Sequence, residues 1–124
     1  MKVLAIDDEP AILASLRMIL AELPDCELEC VNSVQQAMEI VKEKEFDFIF
    51  VDLKMPGRDG VYFIKNAVLP RKTKVLLLTA YLDRSALNDL FRSGISGYLT
   101  KPFDRDDVLR HLAFHSLALQ TVNA

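Results

Sequence analysis

The sequence has no apolar run approaching the roughly 20 residues that a bilayer-spanning helix needs, and its first residues lead straight into a short apolar strand, without the pattern of a secretory signal. Neither a membrane span nor a leader is expected, and a cytoplasmic setting is. No stretch is rich in Pro, Gly or Ser, so neither a linker nor a disordered tail is expected, and no internal repeat is present. An excess of basic charge is missing too. With a formal net charge of -3, the chain is not the basic domain that phosphate-backbone binding usually shows, and direct nucleic-acid binding is not expected. Cysteine is scarce: Cys26 and Cys30 are the only two. Together with Leu28 they alternate against Glu27 and Glu29, which puts both thiols on one buried face of a strand. They read as reduced core cysteines rather than as a metal pair, for which further ligands are wanting.

The apolar fraction of 51% and the charged fraction of 27% are ordinary globular values. A chain of 124 residues suits one domain, expected over 1–124, that buries roughly two-thirds of the surface exposed by the unfolded chain. Five apolar runs, Val3 to Ile6, Cys26 to Val31, Phe48 to Val51, Val75 to Leu78 and Gly97 to Leu99, alternate with helical patterns. Such alternation means βαβ units and a parallel sheet, here (βα)5 with right-handed crossovers. Runs one, three and four are almost wholly apolar, as strands covered on both faces must be, whereas run two alternates like a half-exposed edge strand.

Helical spacing marks Ile12, Leu16, Ile19, Leu20 and Leu23, then Val34, Ala37, Met38 and Val41, then Leu87, Leu90 and Phe91. Pro10 suits a first helical turn, Asn32 with Gln35 resembles a capping box, Asp83 and Asp104 are expected N-caps, and Gly94 is a stop signal.

Ligands of open α/β sheets bind beyond the carboxyl ends of the strands. Asp7 and Asp8 follow run one, Asp52 follows run three, Thr79 run four and Lys101 run five. Singly these residues say little: Asp8 equally suits a helix cap, and a lone Lys is usually solvated. Together they place three carboxylates, a hydroxyl and an ammonium at one edge. Crowded carboxylates repel unless neutralised, and oxygen ligands in an open site suit Mg2+. One carboxylate then becomes a nucleophile toward phosphorus, while the Lys offsets the charge on the phosphoryl oxygens.

The sequence resembles receiver domains of two-component response regulators along essentially its whole length. The resemblance is carried by IDDEP at Ile6 to Pro10, VDLKMPGRDG at Val51 to Gly60, LLTAY at Leu77 to Tyr81, and GYLTKPF at Gly97 to Phe103. It implies a doubly wound, flavodoxin-like five-stranded sheet of order 2-1-3-4-5, with Asp52 as phosphoacceptor. It also implies Mg2+ held by Asp8, Asp52 and the carbonyl of Lys54, with Asp7 acting mainly through bound water. Thr79 and Lys101 would meet the phosphoryl oxygens, and Lys101-Pro102 would be a cis peptide. Tyr98 takes the place of the family's switch aromatic, though an ordinary amphipathic strand also presents such a residue. The implied protein is a signalling switch rather than an enzyme, limited to self-phosphorylation and self-dephosphorylation. The implied phosphodonor partner is a sensor histidine kinase or phosphotransfer protein, and an effector would dock on the face around Tyr98.

Two other functions meet obstacles. Haloacid-dehalogenase-like phosphatases resemble Asp-x-Asp-x-Thr or Ser, but Leu53 and Lys54 follow Asp52. Flavodoxins need a hydroxyl-rich phosphate loop where this sequence has Asp7, Asp8 and Glu9. Lys54 and Tyr81 flank the expected path of hydrolytic water and predict a long-lived phosphoryl group. Ser96 and Gly97 replace the acidic pair of the winged-helix subfamily, which puts its salt-bridged dimer in doubt. His111 and His115 stand one helical turn apart, but no third ligand is placed nearby and His115 shares a stripe with Val108, Leu112 and Leu119, so neither a metal clamp nor a phosphotransfer role is expected.

Overall fold

The computed structural model describes residues 1–80 and 84–123, with side chains through 116. Ten elements alternate along the chain: β1 (Lys2–Ile6), α1 (Pro10–Leu20), β2 (Glu27–Val31), α2 (Val34–Glu43), β3 (Phe48–Asp52), α3 (Gly60–Asn66), β4 (Lys74–Thr79), α4 (Arg84–Arg92), β5 (Gly97–Thr100) and α5 (Arg105–Asn123). All neighbouring strands pair in parallel in the order β2-β1-β3-β4-β5. The expected (βα)5 architecture and strand order are both present.

Side chains of a strand alternate between faces, and β1, β3 and β4 each supply two layers here. Leu4, Ile6, Ile49, Val51, Val75 and Leu77 pack with Val34 and Ala37 of α2, Phe63 and Ile64 of α3 and Leu90 of α4. Their neighbours Val3, Ala5, Phe48, Phe50, Leu76 and Leu78 pack on the opposite face with Leu16 and Leu20 of α1 and Val108 and Leu112 of α5. This is why β1, β3 and β4 are apolar at nearly every position. Each fully buried large side chain contributes roughly 1.5–3 kcal/mol. β2 is only partly buried, as an edge strand should be. Cys26, just before β2, and Cys30 are free thiols half-buried against the second layer, where burial raises both pKa values.

Local signals end the helices largely as expected. Pro10 is the first residue of α1. Asp104 and Asp107 cap each other's backbone, the Asp107 amide donating to Asp104 Oδ1 at 2.8 Å and the Asp104 amide to Asp107 Oδ2 at 3.1 Å. Gly94, at φ +115, closes α4 in a conformation that costs an L side chain strain. The capping box of α2 lies one residue later than expected. Ser33, not Asn32, is the N-cap; its hydroxyl accepts from the Gln36 amide at 3.2 Å while Gln36, not Gln35, reaches back to the Asn32 amide at 3.3 Å. Asp83, the expected cap of α4, lies outside the described residues. Helix α3 has seven residues, fewer than the two turns over which an apolar period becomes visible.

Candidate functional site

The parallel register fixes which chain ends meet. Ile6 pairs with both Val31 and Val51, Asp52 with Leu78, and Thr79 with Thr100. Asp7, Asp8, Asp52, Thr79 and Lys101 therefore share the carboxyl edge of the three central strands and β5. Ligand oxygens of Asp7, Asp8 and Asp52 all lie within 4.8 Å of one another. Asp7 is fully buried, and Asp52 and Thr79 nearly so, while Asp8 is exposed.

Lys101 is the cation of this cluster. Its Nζ lies 2.9 Å from Asp7 Oδ2, 3.3 Å from Glu9 Oε1 and 3.5 Å from Asp52 Oδ2. Burial disfavours the ammonium, but the contact with Asp7 and the charges of Asp52 and Glu9 outweigh it and raise the Lys101 pKa. Lys101 stays charged.

Asp52 is pushed in the other direction. Burial first, and the neighbouring charge of Asp7 second, raise its pKa from 3.8 to about 6, against the opposing pull of Lys101 and of the Lys54 amide. That amide donates to Asp52 Oδ1 at 3.4 Å, a long bond. The acid at the end of β3 is thus held short of full stabilisation as an anion, a state that an added positive charge would relieve.

Asp7 is positioned by its own backbone. Its Oδ1 accepts from the Glu9 amide at 2.9 Å, which turns the chain into α1. Its Oδ2, closed off from solvent, meets the Lys101 ammonium as an ion pair but receives no directed hydrogen bond. A buried carboxylate oxygen left so is an unusual expense, and with the other two acids it forms an all-oxygen donor set that fits a hard divalent cation.

Glu9, Asp52, Lys54, Thr79, Ala80 and Lys101 line a cleft of about 150 Å³. The exposed Lys54 side chain reaches its rim, whereas Tyr81 lies outside the described residues. The Lys101 amide donates to the Thr79 carbonyl at 2.8 Å, so the ends of β4 and β5 are fastened beside Asp52, and the Lys101-Pro102 peptide is cis. Tyr98 points away from the core and is 36% exposed.

Glu9 is a partner of Lys101 that no motif of the sequence marks as such. It stands at the N-cap of α1 without capping through its side chain, and Glu is a poor cap. That mismatch was the available signal. The histidines stay apart from this edge: His111 and His115 stack at 6.3 Å between ring centroids on α5, and His115 also meets Phe48 and Phe114. The group of three or more possible metal-binding side chains found among the described residues is that of Asp7, Asp8 and Asp52.

Known proteins resemble this chain in sequence and in fold. Residues 3–113 match the response regulator receiver domain family. The chain is 33% identical over 109 residues to the signal transduction histidine-protein kinase BarA of Shigella flexneri, covering 86% of this chain but only 12% of that protein. It is 29% identical over 106 residues to the chemotaxis protein CheY-3 of Vibrio cholerae, covering 83% of this chain and 82% of that one. The structure of the Vibrio cholerae chemotaxis protein CheY4 superposes with a TM-score of 0.82 at 28% identity, covering 90% of this chain and 95% of the other.

Proposed function

This chain belongs to the response-regulator receiver domain family, and from that premise we propose that Asp52 accepts a phosphoryl group and that the resulting charge resets the face around Tyr98. Residues 1–124 act in this reading as a single receiver module in the cytoplasm, free-standing or joined to other domains. The observation that carries the reading is the Asp52 carboxylate, buried at the end of β3 within 3.5 Å of Lys101 and beside Asp7 and Asp8.

In the transfer step a lone pair on an Asp52 carboxylate oxygen forms a new O–P bond as the bond from phosphorus to the donor's leaving group breaks. The departing electron pair leaves with that group. Asp7, Asp8 and Asp52, with the Lys54 carbonyl, would hold Mg2+, whose charge would offset that of the carboxylates and phosphoryl oxygens. Lys101 supplies a fixed positive charge for the phosphoryl group, and Thr79, at the end of β4, supplies a hydroxyl that bonds a phosphoryl oxygen after transfer.

A sensor histidine kinase or a phosphotransfer protein would present the phosphoryl group as a phosphohistidine. Inward movement of Thr79 would let Tyr98 pass from exposed to buried, biasing the surface formed by α4, β5 and α5 toward an effector. Lys54 at the rim obstructs water and favours a long-lived acyl phosphate. Intact-mass measurement after incubation with acetyl phosphate and Mg2+ tests the chemistry. One added phosphoryl group, lost with chelator and in Asp52→Asn, is expected; no addition in the wild-type chain from either small phosphodonors or a phosphorylated kinase would refute it.

A further inference from the structure

Resting on the reading of Asp52 as phosphoacceptor, we infer that Glu9 is a specificity-determining residue: it restrains Lys101 and selects against small, highly charged phosphodonors.

The helix does not account for Glu9. It occupies the N-cap of α1, where its side chain bonds none of the free amides, although Asp, Asn or Ser would do so readily. Its carboxylate turns instead toward the cleft, with Oε1 3.3 Å from Lys101 Nζ, and it forms part of the cleft wall with Asp52, Lys54, Thr79 and Lys101. Lys101 is thereby shared among Asp7, Glu9 and Asp52. Asp7 and Asp52 are buried and fixed by the sheet, whereas Glu9 is an exposed, movable side chain. Among these three contacts, the one to Glu9 is released most cheaply when a phosphoryl group arrives and needs the ammonium.

Glu9 also adds a negative charge at the mouth of the site. A small anionic donor meets it directly, and the repulsion grows with the donor's charge. A phosphohistidine carried on a protein brings its own surface contacts, which outweigh one charge at the rim. At separations of several ångströms near the surface, one unit of donor charge changes the rate by a factor of about three.

The experiment compares acetyl phosphate, a dianion at pH 7, with phosphoramidate, which carries one negative charge less. Initial rates of Asp52 phosphorylation are measured for the wild type, Glu9→Gln and Glu9→Asp at low and high salt. Glu9→Gln should raise the ratio of the acetyl phosphate rate to the phosphoramidate rate about threefold, Glu9→Asp should keep it near the wild-type value, and high salt should shrink the difference. The contact itself is read from the NMR signal of the Lys101 ammonium and its ε-methylene in the metal-free protein, which should shift in Glu9→Gln. Phosphorylation at Asp52 with an unchanged donor ratio and an unmoved Lys101 signal would overturn the role of Glu9 alone. Failure of the wild-type chain to accept phosphate from any donor would overturn the underlying reading.

Discussion

Gly60 sits so close to Asp52 that a Cβ on it would lie 2.2 Å from the Asp52 carbonyl oxygen and 3.0 Å from the carbonyl carbon. The first residue of α3 thus packs on the backbone of the residue that carries the chemistry, and the Gly60 amide donates to the Leu53 carbonyl at 3.1 Å.

Neither partner in that contact is a flexible side-chain end, so Gly60→Ala must move α3 or the end of β3. We expect a loss of roughly 1–3 kcal/mol in stability together with slower phosphorylation of Asp52. Urea denaturation and the acetyl phosphate reaction measure the two effects. Wild-type stability and rate in Gly60→Ala would show that the loop yields freely.

Asp52 is costly to ionise in the metal-free protein. Its folded pKa of about 6 lies above the usual 3.8, so the native state holds the proton more tightly and stability falls as pH rises from about 4 to 6. In chelator at pH 7.5, Asp52→Asn should therefore be more stable than wild type, by an amount on the order of 1–3 kcal/mol. The difference should vanish near pH 4. Thermal unfolding across that range is the check, and a variant less stable at pH 7.5 contradicts the sign.

Removing the cation has the opposite consequence. Lys101→Met leaves Asp7 and Asp52 buried side by side without a counter-charge, which should destabilise the metal-free chain by roughly 2–4 kcal/mol. Added Mg2+ should restore more stability to this variant than it adds to wild type, because three uncompensated acids attract a divalent ion more strongly. Unfolding midpoints with and without Mg2+ decide it; equal gains in both proteins would argue against a cation among these carboxylates.

The two histidines of α5 predict an acid-sensitive helix. Burial lowers the His115 pKa, with His111 and Lys74 adding to the effect. His111 is lowered by burial as well, with Arg110 assisting and Asp107 opposing. A histidine depressed below its unfolded value stabilises fully above about pH 6.5 and loses that contribution as pH falls through the window beneath. In an Asp52→Asn background, which removes the opposing trend, stability should decline between pH 7 and 5, and His115→Gln should flatten the decline. A pH-independent midpoint in the Asp52→Asn protein contradicts this.

Much of this fold was legible because its signals are local and repeated. Val3 to Ile6 and Phe48 to Val51 are apolar at every position, which only a doubly covered strand requires, and the acids directly after them mark the ligand edge. The capping box of α2 falls one residue later than the sequence pattern suggests because Asn32 and Ser33 are both competent caps, and the pattern alone does not select between them. Helix α3 is too short to show a period. Glu9 escaped because its partner lies 92 residues away, and no spacing rule connects the start of α1 with the end of β5. The close approach of Gly60 to the Asp52 backbone is likewise a property of packing, which spacing along the sequence does not show.

Peptide mapping after borohydride treatment identifies the residue that accepts the phosphoryl group. Borohydride reduces an aspartyl phosphate to homoserine, leaving a permanent mark at the modified position. After reaction with acetyl phosphate and Mg2+, the mark should fall on residue 52 and be absent from residues 7 and 8. A mark at Asp7 or Asp8 instead, or a stable phosphoryl group on another side chain in the wild-type chain, would remove Asp52 from the role of acceptor.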